Sequence, residues 1–290
     1  MKKKKVAGVF FSLMLTAGLM AGCGGNQQGG GSTDGGSGGG GGDVIKIGAN
    51  LELSGGVASY GQSIAEGVEL AFDEINKEGI NGKELKLVKV DNKSEAAEAT
   101  NGAIKLISQD KVAAIIGSAT STNTLAQVQI VNDNKVPVIT PSGTNPTITN
   151  KDGKVNEFVF RTCFIDPFQG TVAAKFALND LKVKNAAILI DSASDYSKGL
   201  AASFKETFTA GGGKIVAEEA YVAKDTDFRA TLTNIKSAKP EFLFLPGYYE
   251  EVGLIVKQAR ELGLNVPIMG GDGWDSPKLI ELAGKDALNN

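Results

Sequence analysis

Residues 112–146 read VAAIIGSATSTNTLAQVQIVNDNKVPVITPSGTNP, and this stretch decides the fold class. It holds two short apolar runs, Val112–Gly117 and Val136–Thr140, each long enough for a buried strand and too short for a buried helix. Each run ends in small hydroxyl residues: Ser118, Thr120, Ser121, Thr122 and Thr124 after the first, Thr140, Ser142 and Thr144 after the second. Between them Leu125–Asn134 reads as a helix. Two parallel strands would then deliver hydroxyls and free backbone N–H groups to one sheet edge, where open α/β sheets bind ligands. The first cluster also lies at a helix start, which favours an anion. No Lys or Arg occurs between Ala113 and Asn134, so the edge suits a small carboxylate better than a polyphosphate. N-capping and turn chemistry use the same residues, and either cluster alone fits a structural role. Two clusters at successive strand ends point to a site.

The alternation extends both ways. Upstream, strands are expected at Val44–Asn50 and Leu85–Asp91 and helices at Gly61–Glu78 and Glu95–Gln109. This order implies a parallel sheet covered on both faces. Residues 145–157 loop to a strand at Phe158–Arg161, and a second alternation follows. Its helices are expected at Phe168–Leu181, Ser197–Ala210, Phe228–Ser237 and Glu250–Leu262, and its strands at Ala186–Asp191, Lys214–Ala220, Phe242–Leu245 and Pro267–Met269. The reading is therefore two α/β lobes, residues 44–160 and 161–290, with a small-ligand cleft between them. The second lobe's strand ends carry Asp191–Tyr196, Pro246–Tyr249 and Gly270–Trp274. Hydroxyls on one side, with tyrosines and Asp272 on the other, describe a site for an amino-acid zwitterion.

Composition narrows the function classes. Of 290 residues 42% are apolar, enough for a packed core. Net charge is −3, and Lys2–Lys5 supply four positive charges with no acid before Cys23, so the remainder carries −7. That argues against nucleic acid as a partner. The chain has no histidine, which removes His-based triads and His metal sites, and two cysteines are too few for a zinc cluster. There is no G-x-G-x-x-G after the first strand and no G-x-x-x-x-G-K-[ST], so an α/β enzyme ranks behind a binding protein.

The first 43 residues are expected to be address and tether. MKKKK and the apolar run after it read as a signal peptide over residues 1–22. Leu19-Met20-Ala21-Gly22-Cys23 resembles the lipobox of bacterial lipoproteins, which implies cleavage before Cys23 and a lipid on its sulfur. Residues 24–42 contain 12 glycines and cannot offset the entropy of ordering, so residues 23–43 read as a flexible tether.

Seven segments together resemble the branched-chain amino-acid-binding proteins of ABC importers: LSGGVASYGQSIAEGVELAFDEIN (53–76), IIGSATSTNT (115–124), ITPSGTNP (139–146), FRTCFIDPFQG (160–170), DYSKG (195–199), FLPGYYEE (244–251) and MGGDGW (269–274). The resemblance implies the two-lobed type I periplasmic-binding fold, with parallel sheets flanked by helices. It implies a membrane-anchored, extracytoplasmic monomer that captures an amino acid for permease subunits, without cofactor, metal or catalysis. Carried over by position, Ser121 and Thr144 would donate to the ligand carboxylate. Ser142 and Asp272 would face the ammonium, Tyr196 and Tyr248 would contact the ligand from the second lobe, and Tyr60 would form a wall. Phe164 and Trp274 lie beside matched motifs as further walls. A disulfide found in some relatives is replaced here by Ser94 and Thr120, which leaves Cys163 a free thiol. Family members continue past residue 290, so the fold is expected to be incomplete at this end, with apolar faces exposed. The alternatives are a receptor for another small acid or amide, or a product that does not bind.

Overall fold

The computed structural model describes residues 44–288; the expected signal peptide, tether and lipidated Cys23 lie outside the described residues. The first sheet is built by β1 (Ile45–Leu51), β2 (Leu85–Asp91), β3 (Ala114–Gly117), β4 (Val138–Thr140) and, beyond a small hairpin of β5 (Asn150–Lys151) and β6 (Lys154–Val155), β7 (Val159–Arg161). Its order is β2-β1-β3-β4-β7, all parallel. Helices α1 (Ala58–Ile75), α2 (Ala96–Lys105) and α3 (Ser121–Asn134) make the crossovers.

The chain then enters α4 (Asp166–Asn179), β8 (Asn185–Asp191), α5 (Asp195–Ala210), β9 (Lys214–Tyr221), α6 (Arg229–Ser237), β10 (Phe242–Phe244), α7 (Tyr249–Glu261) and β11 (Ile268–Met269). These strands form a second parallel sheet, β11-β10-β8-β9. A 3₁₀ turn at Asp272–Trp274 and two short helices, α8 (Pro277–Ala283) and α9 (Lys285–Leu288), follow.

Why these segments form these elements follows from their burial. Ala186–Leu189 and Phe242–Leu245 are wholly buried, as central parallel strands must be when helices cover both faces. Phe204 of α5 stacks on Phe244 of β10 with ring centroids 4.1 Å apart. Gly170 lets α4 close on α5, since a Cβ there would lie 2.6 Å from Ser203 Cβ. The first sheet has its own core, centred on Leu106, Ile115, Val131, Val138 and Ile148.

Several expected helix boundaries move by two or more residues, α1 to Ala58–Ile75, α4 to Asp166–Asn179 and the start of α5 to Asp195 among them, and two further shifts have a clear physical reason. Helix α3 begins at Ser121 rather than Leu125, so the first hydroxyl cluster is its opening turn. Polar side chains there are held by partners below the sheet edge, and tertiary bonds override their weak helix propensity. The helix expected to Gln109 ends α-helically at Lys105 and continues as a π-helical turn, Leu106–Asp110, closed by Lys111 at φ 57°.

One apolar face lacks cover. Phe168, Val172 and Phe176 recur every fourth residue along α4 and are 61%, 48% and 42% exposed. Phe160 on the edge strand β7, and Phe164, are also exposed. A contiguous apolar strip of this kind is unlike the scattered hydrophobics of an ordinary surface. Replacing Phe168, Val172 and Phe176 together by Ser should therefore reduce self-association and dye binding while changing stability by less than about 1 kcal/mol. Sedimentation velocity and anilinonaphthalene sulfonate fluorescence check this. Unchanged dye binding would show that the strip is covered in solution.

Candidate functional site

A cavity of about 410 Å³ lies between the two sheets' carboxyl ends. The first lobe lines it with Tyr60 from α1, Ala119, Thr120 and Ser121 at the start of α3, and Ser142 after β4. The second lobe contributes Tyr196 from the first turn of α5, Tyr248 at the N-cap of α7, and Asp272 and Gly273 from the 3₁₀ turn. Ser59, Ser63, Ile64, Asp275 and Pro277 complete it, and no Lys or Arg is among the lining residues.

The first-lobe wall is organised by a residue that the sequence pattern does not reveal. Glu52, one position past β1, is fully buried. Its carboxylate accepts hydrogen bonds from Ala119 N (2.9 Å), Thr120 N (3.1 Å), Thr120 Oγ1 (2.8 Å) and Asn123 Nδ2 (3.0 Å). Asn123 also donates to Asn92 Oδ1, and Asn92 and Gln127 both donate to Ser118 Oγ. A carboxylate at a helix start is stabilised by the unpaired amides and by the helix dipole. The anion expected at this helix start is thus already present as a side chain. What remains for a ligand is Ser121, the first residue of α3, with its hydroxyl. Ser121 Oγ accepts from Asn145 N at 3.2 Å, so its own proton is available to a ligand. Ser142 Oγ donates to Ala119 O at 2.8 Å.

The second-lobe wall is aromatic with two acids, Asp272 and Asp275. Tyr196 and Tyr248 stack at 5.1 Å, and Tyr60 meets Tyr248 edge-on at 5.9 Å. Burial holds all three phenols far above their ordinary titration range, so they act as neutral donors and walls. Asp272 is not engaged in an Asx turn. Its Oδ1 accepts from Gln169 Nε2 at 2.9 Å, and its backbone N–H donates to Gln169 Oε1 at 2.9 Å. Gly271 makes this approach possible, because a Cβ there would lie 2.7 Å from both Gln169 Oε1 and the Tyr196 hydroxyl.

The lobes are in direct contact across the cleft. Tyr60 Oη donates to Gly273 O, Ser59 N to Tyr249 Oη (3.2 Å), Asp195 N to Thr122 Oγ1 (2.9 Å) and Asn145 Nδ2 to Asp195 O (2.8 Å). Lys224 pairs with Glu95 at the rim. A second cavity of about 340 Å³ adjoins the first across Thr120 and Tyr248, with Lys93, Glu95, Lys224 and Glu250 around it.

Of the expected ligand residues, Tyr60, Ser121, Ser142, Tyr196, Tyr248 and Asp272 meet at the cavity. Thr144 is not among its lining residues: its hydroxyl is buried beside the Asp166 carboxyl, and neither group has a hydrogen-bond partner of ordinary geometry. Phe164 is no wall either; it is 46% exposed and packs beside Phe168. Trp274 turns inward, donating Nε1–H to Leu245 O at 3.0 Å and packing on the second-lobe core. Cys163 is free, its thiol pushed up by burial.

Two parallel α/β lobes enclosing such a cavity are the architecture of type I periplasmic binding proteins. The chain belongs to that family: the sequence profile of the periplasmic binding protein family matches residues 44–290. A Leu/Ile/Val-binding protein of Rhizobium johnstonii, BraC3, is 39% identical over 244 residues, 84% of this chain and 65% of that protein. This chain thus spans about two thirds of that relative's length. The solved structure of LivJ from Streptococcus pneumoniae, a branched-chain amino-acid transporter substrate-binding protein in complex with isoleucine, aligns with a TM-score of 0.77 at 42% identity over 84% of this chain and 69% of that one. Leucine-binding protein LivK from Thermotoga maritima aligns with a TM-score of 0.78 at 41% identity, covering 83% and 67%. A solute-binding protein of R. palustris in complex with 4-hydroxybenzoate aligns with a TM-score of 0.75 at 25% identity, covering 83% and 66%.

Two outcomes follow from the buried acids. Glu52→Ala strands two amides, a hydroxyl and a carboxamide, and should cost about 2–4 kcal/mol in urea unfolding; a loss under about 0.5 kcal/mol would contradict the organising role. Asp166 is fully buried, and that burial pushes its carboxyl up to about 7, offset in part by Thr144 and Arg161 and reinforced by Asp272. Its unfolded value is about 3.9. The folded state therefore binds this proton more tightly, and the contribution to stability is full below about pH 4 and lost as pH rises through about 7. Asp166→Asn should be more stable than wild type at pH 8 and lose that advantage by pH 4. A stability difference independent of pH would rule out the titration.

Proposed function

We propose that this protein is an extracytoplasmic receptor that captures a small aliphatic α-amino acid between its lobes and passes it, chemically unchanged, to an ABC importer. The observation that carries this reading is the polarity of the cavity. Residues without charge (Ser121 at the start of α3, and Ser142) line it from one lobe, and the acids Asp272 and Asp275 line it from the other. A zwitterion buried there would find both charges answered, which burial of an ion requires. Tyrosine rings and Ile64 remain for an uncharged side chain. The specificities that BraC3, LivJ and LivK are named for support the same class. The lipobox-like Cys23 supports a membrane tether, and permease subunits are the natural recipients of the ligand.

A second reading, a receptor for a simple organic acid, draws support from the 4-hydroxybenzoate-bound relative. It leaves Asp272 facing an anion or an apolar ring without a partner, which is unfavourable.

Calorimetric titration of the purified full chain distinguishes the two. L-Isoleucine, L-leucine or L-valine should bind with saturation, and 4-methylpentanoate, which lacks the ammonium, should bind at least about 30-fold more weakly. Asp272→Asn should weaken the amino acids by a similar factor and bind 4-methylpentanoate no more weakly than wild type does. Equal affinity for the amine-free acid, or tight binding of 4-hydroxybenzoate alone, would favour the second reading.

A further inference from the structure

Asp272 is held in a way that its own turn does not explain. The turn fixes the backbone through Asp275 N donating to Asp272 O at 2.9 Å, but leaves the side chain free to rotate. The restraint comes from α4, 103 residues earlier. There the Gln169 carboxamide closes a two-bond ring, donating to Asp272 Oδ1 and accepting from Asp272 N–H. Gln169 is not itself among the cavity-lining residues. Its first turn also carries Asp166, so α4 presents one acid and one amide near Asp272, and the amide makes the contact.

The geometry has chemical consequences. Oδ1 is engaged by Gln169 and the Tyr196 hydroxyl also interacts with the carboxylate, so the acceptor capacity that remains is what a cationic ligand group would use. The ring sets the side-chain torsion before the ligand arrives, which reduces the entropy lost on binding. It also partly neutralises a carboxylate that would otherwise face tyrosine rings with no cation among the lining residues. Only a side chain that donates and accepts at this reach can do all three. A glutamate would set carboxylate against carboxylate, which raises the proton affinity of the pair.

We infer that Gln169 is the positioning residue for the ligand's ammonium site, acting through Asp272. This rests on the amino-acid reading above. The inference separates a group that sets the poise of the site from those that touch the ligand, and it makes α4 a functional part of the second lobe.

The test uses the full chain titrated with L-isoleucine at pH 5.5 and pH 8, with folding of each variant checked by circular dichroism. Wild type should bind at both values. Gln169→Glu should bind about 30-fold more weakly at pH 8 and return to within about threefold of wild type at pH 5.5, where its protonated carboxyl donates to Asp272 again. Gln169→Met, which fills the space but forms no bond, should be weak at both. In an Asp272→Ala background, Gln169→Glu should change affinity less than about twofold. Wild-type affinity in Gln169→Glu at pH 8, an equal loss at both pH values, or a full loss persisting without Asp272 would overturn the positioning role. Failure of wild type to bind isoleucine at either pH would instead remove the amino-acid reading, and the role of Gln169 in ammonium binding with it.

Discussion

The carboxylate of Glu52, enclosed where β1 ends and α3 begins, is the constraint on which the first half of the site depends. A buried carboxylate is tolerable only when its oxygens are fully engaged. Here four donors engage them, and three of the four belong to the stretch from Ala119 to Thr120. Satisfying Glu52 therefore fixes the turn from β3 into α3. It also starts the helix at Ser121, which lines the cavity. Asn50, Asn92, Ser118 and Gln127 extend the network beneath the sheet edge. Such a network is stiff because every lost bond leaves a buried polar group without a partner.

The second lobe solves the complementary problem by different means. Asp272 is not buried in a cage but held at one oxygen by Gln169, with tyrosines beside it. One lobe thus surrounds its carboxylate with hydrogen-bond donors, and the other leaves part of a carboxylate's acceptor capacity open. The proposed zwitterion would meet both. Contacts such as Tyr60 to Gly273 and Asn145 to Asp195 hold the lobes together across the cleft.

The alternation of short apolar runs with periodic helices made both sheets legible in the sequence, because parallel strands buried on two faces leave nearly continuous apolar segments. The site was legible where polar residues cluster at strand ends: Ser121, Ser142, Tyr196, Tyr248 and Asp272 all reach the cavity. What escaped depends on contacts distant in sequence. Glu52 lies in a turn where a carboxylate is ordinarily solvated, and nothing local announces donors 67 to 71 residues away. Gln169 looks like any polar residue in a first helical turn; its partner lies 103 residues on. Thr144 was assigned from the family resemblance, yet packs beside Asp166. Trp274 follows the site motif, but a carbonyl on the core side captures its indole N–H. Side-chain direction is set by tertiary partners, which periodicity does not encode.

The most direct measurement is the crystal structure of the full chain with L-isoleucine, read for one distance: from the ligand nitrogen to the Asp272 carboxylate. The account predicts about 3 Å, with Oδ1 still bound to Gln169 and the ligand carboxylate against Ser121. A ligand with its carboxylate toward Asp272, or seated outside this cavity, would contradict it.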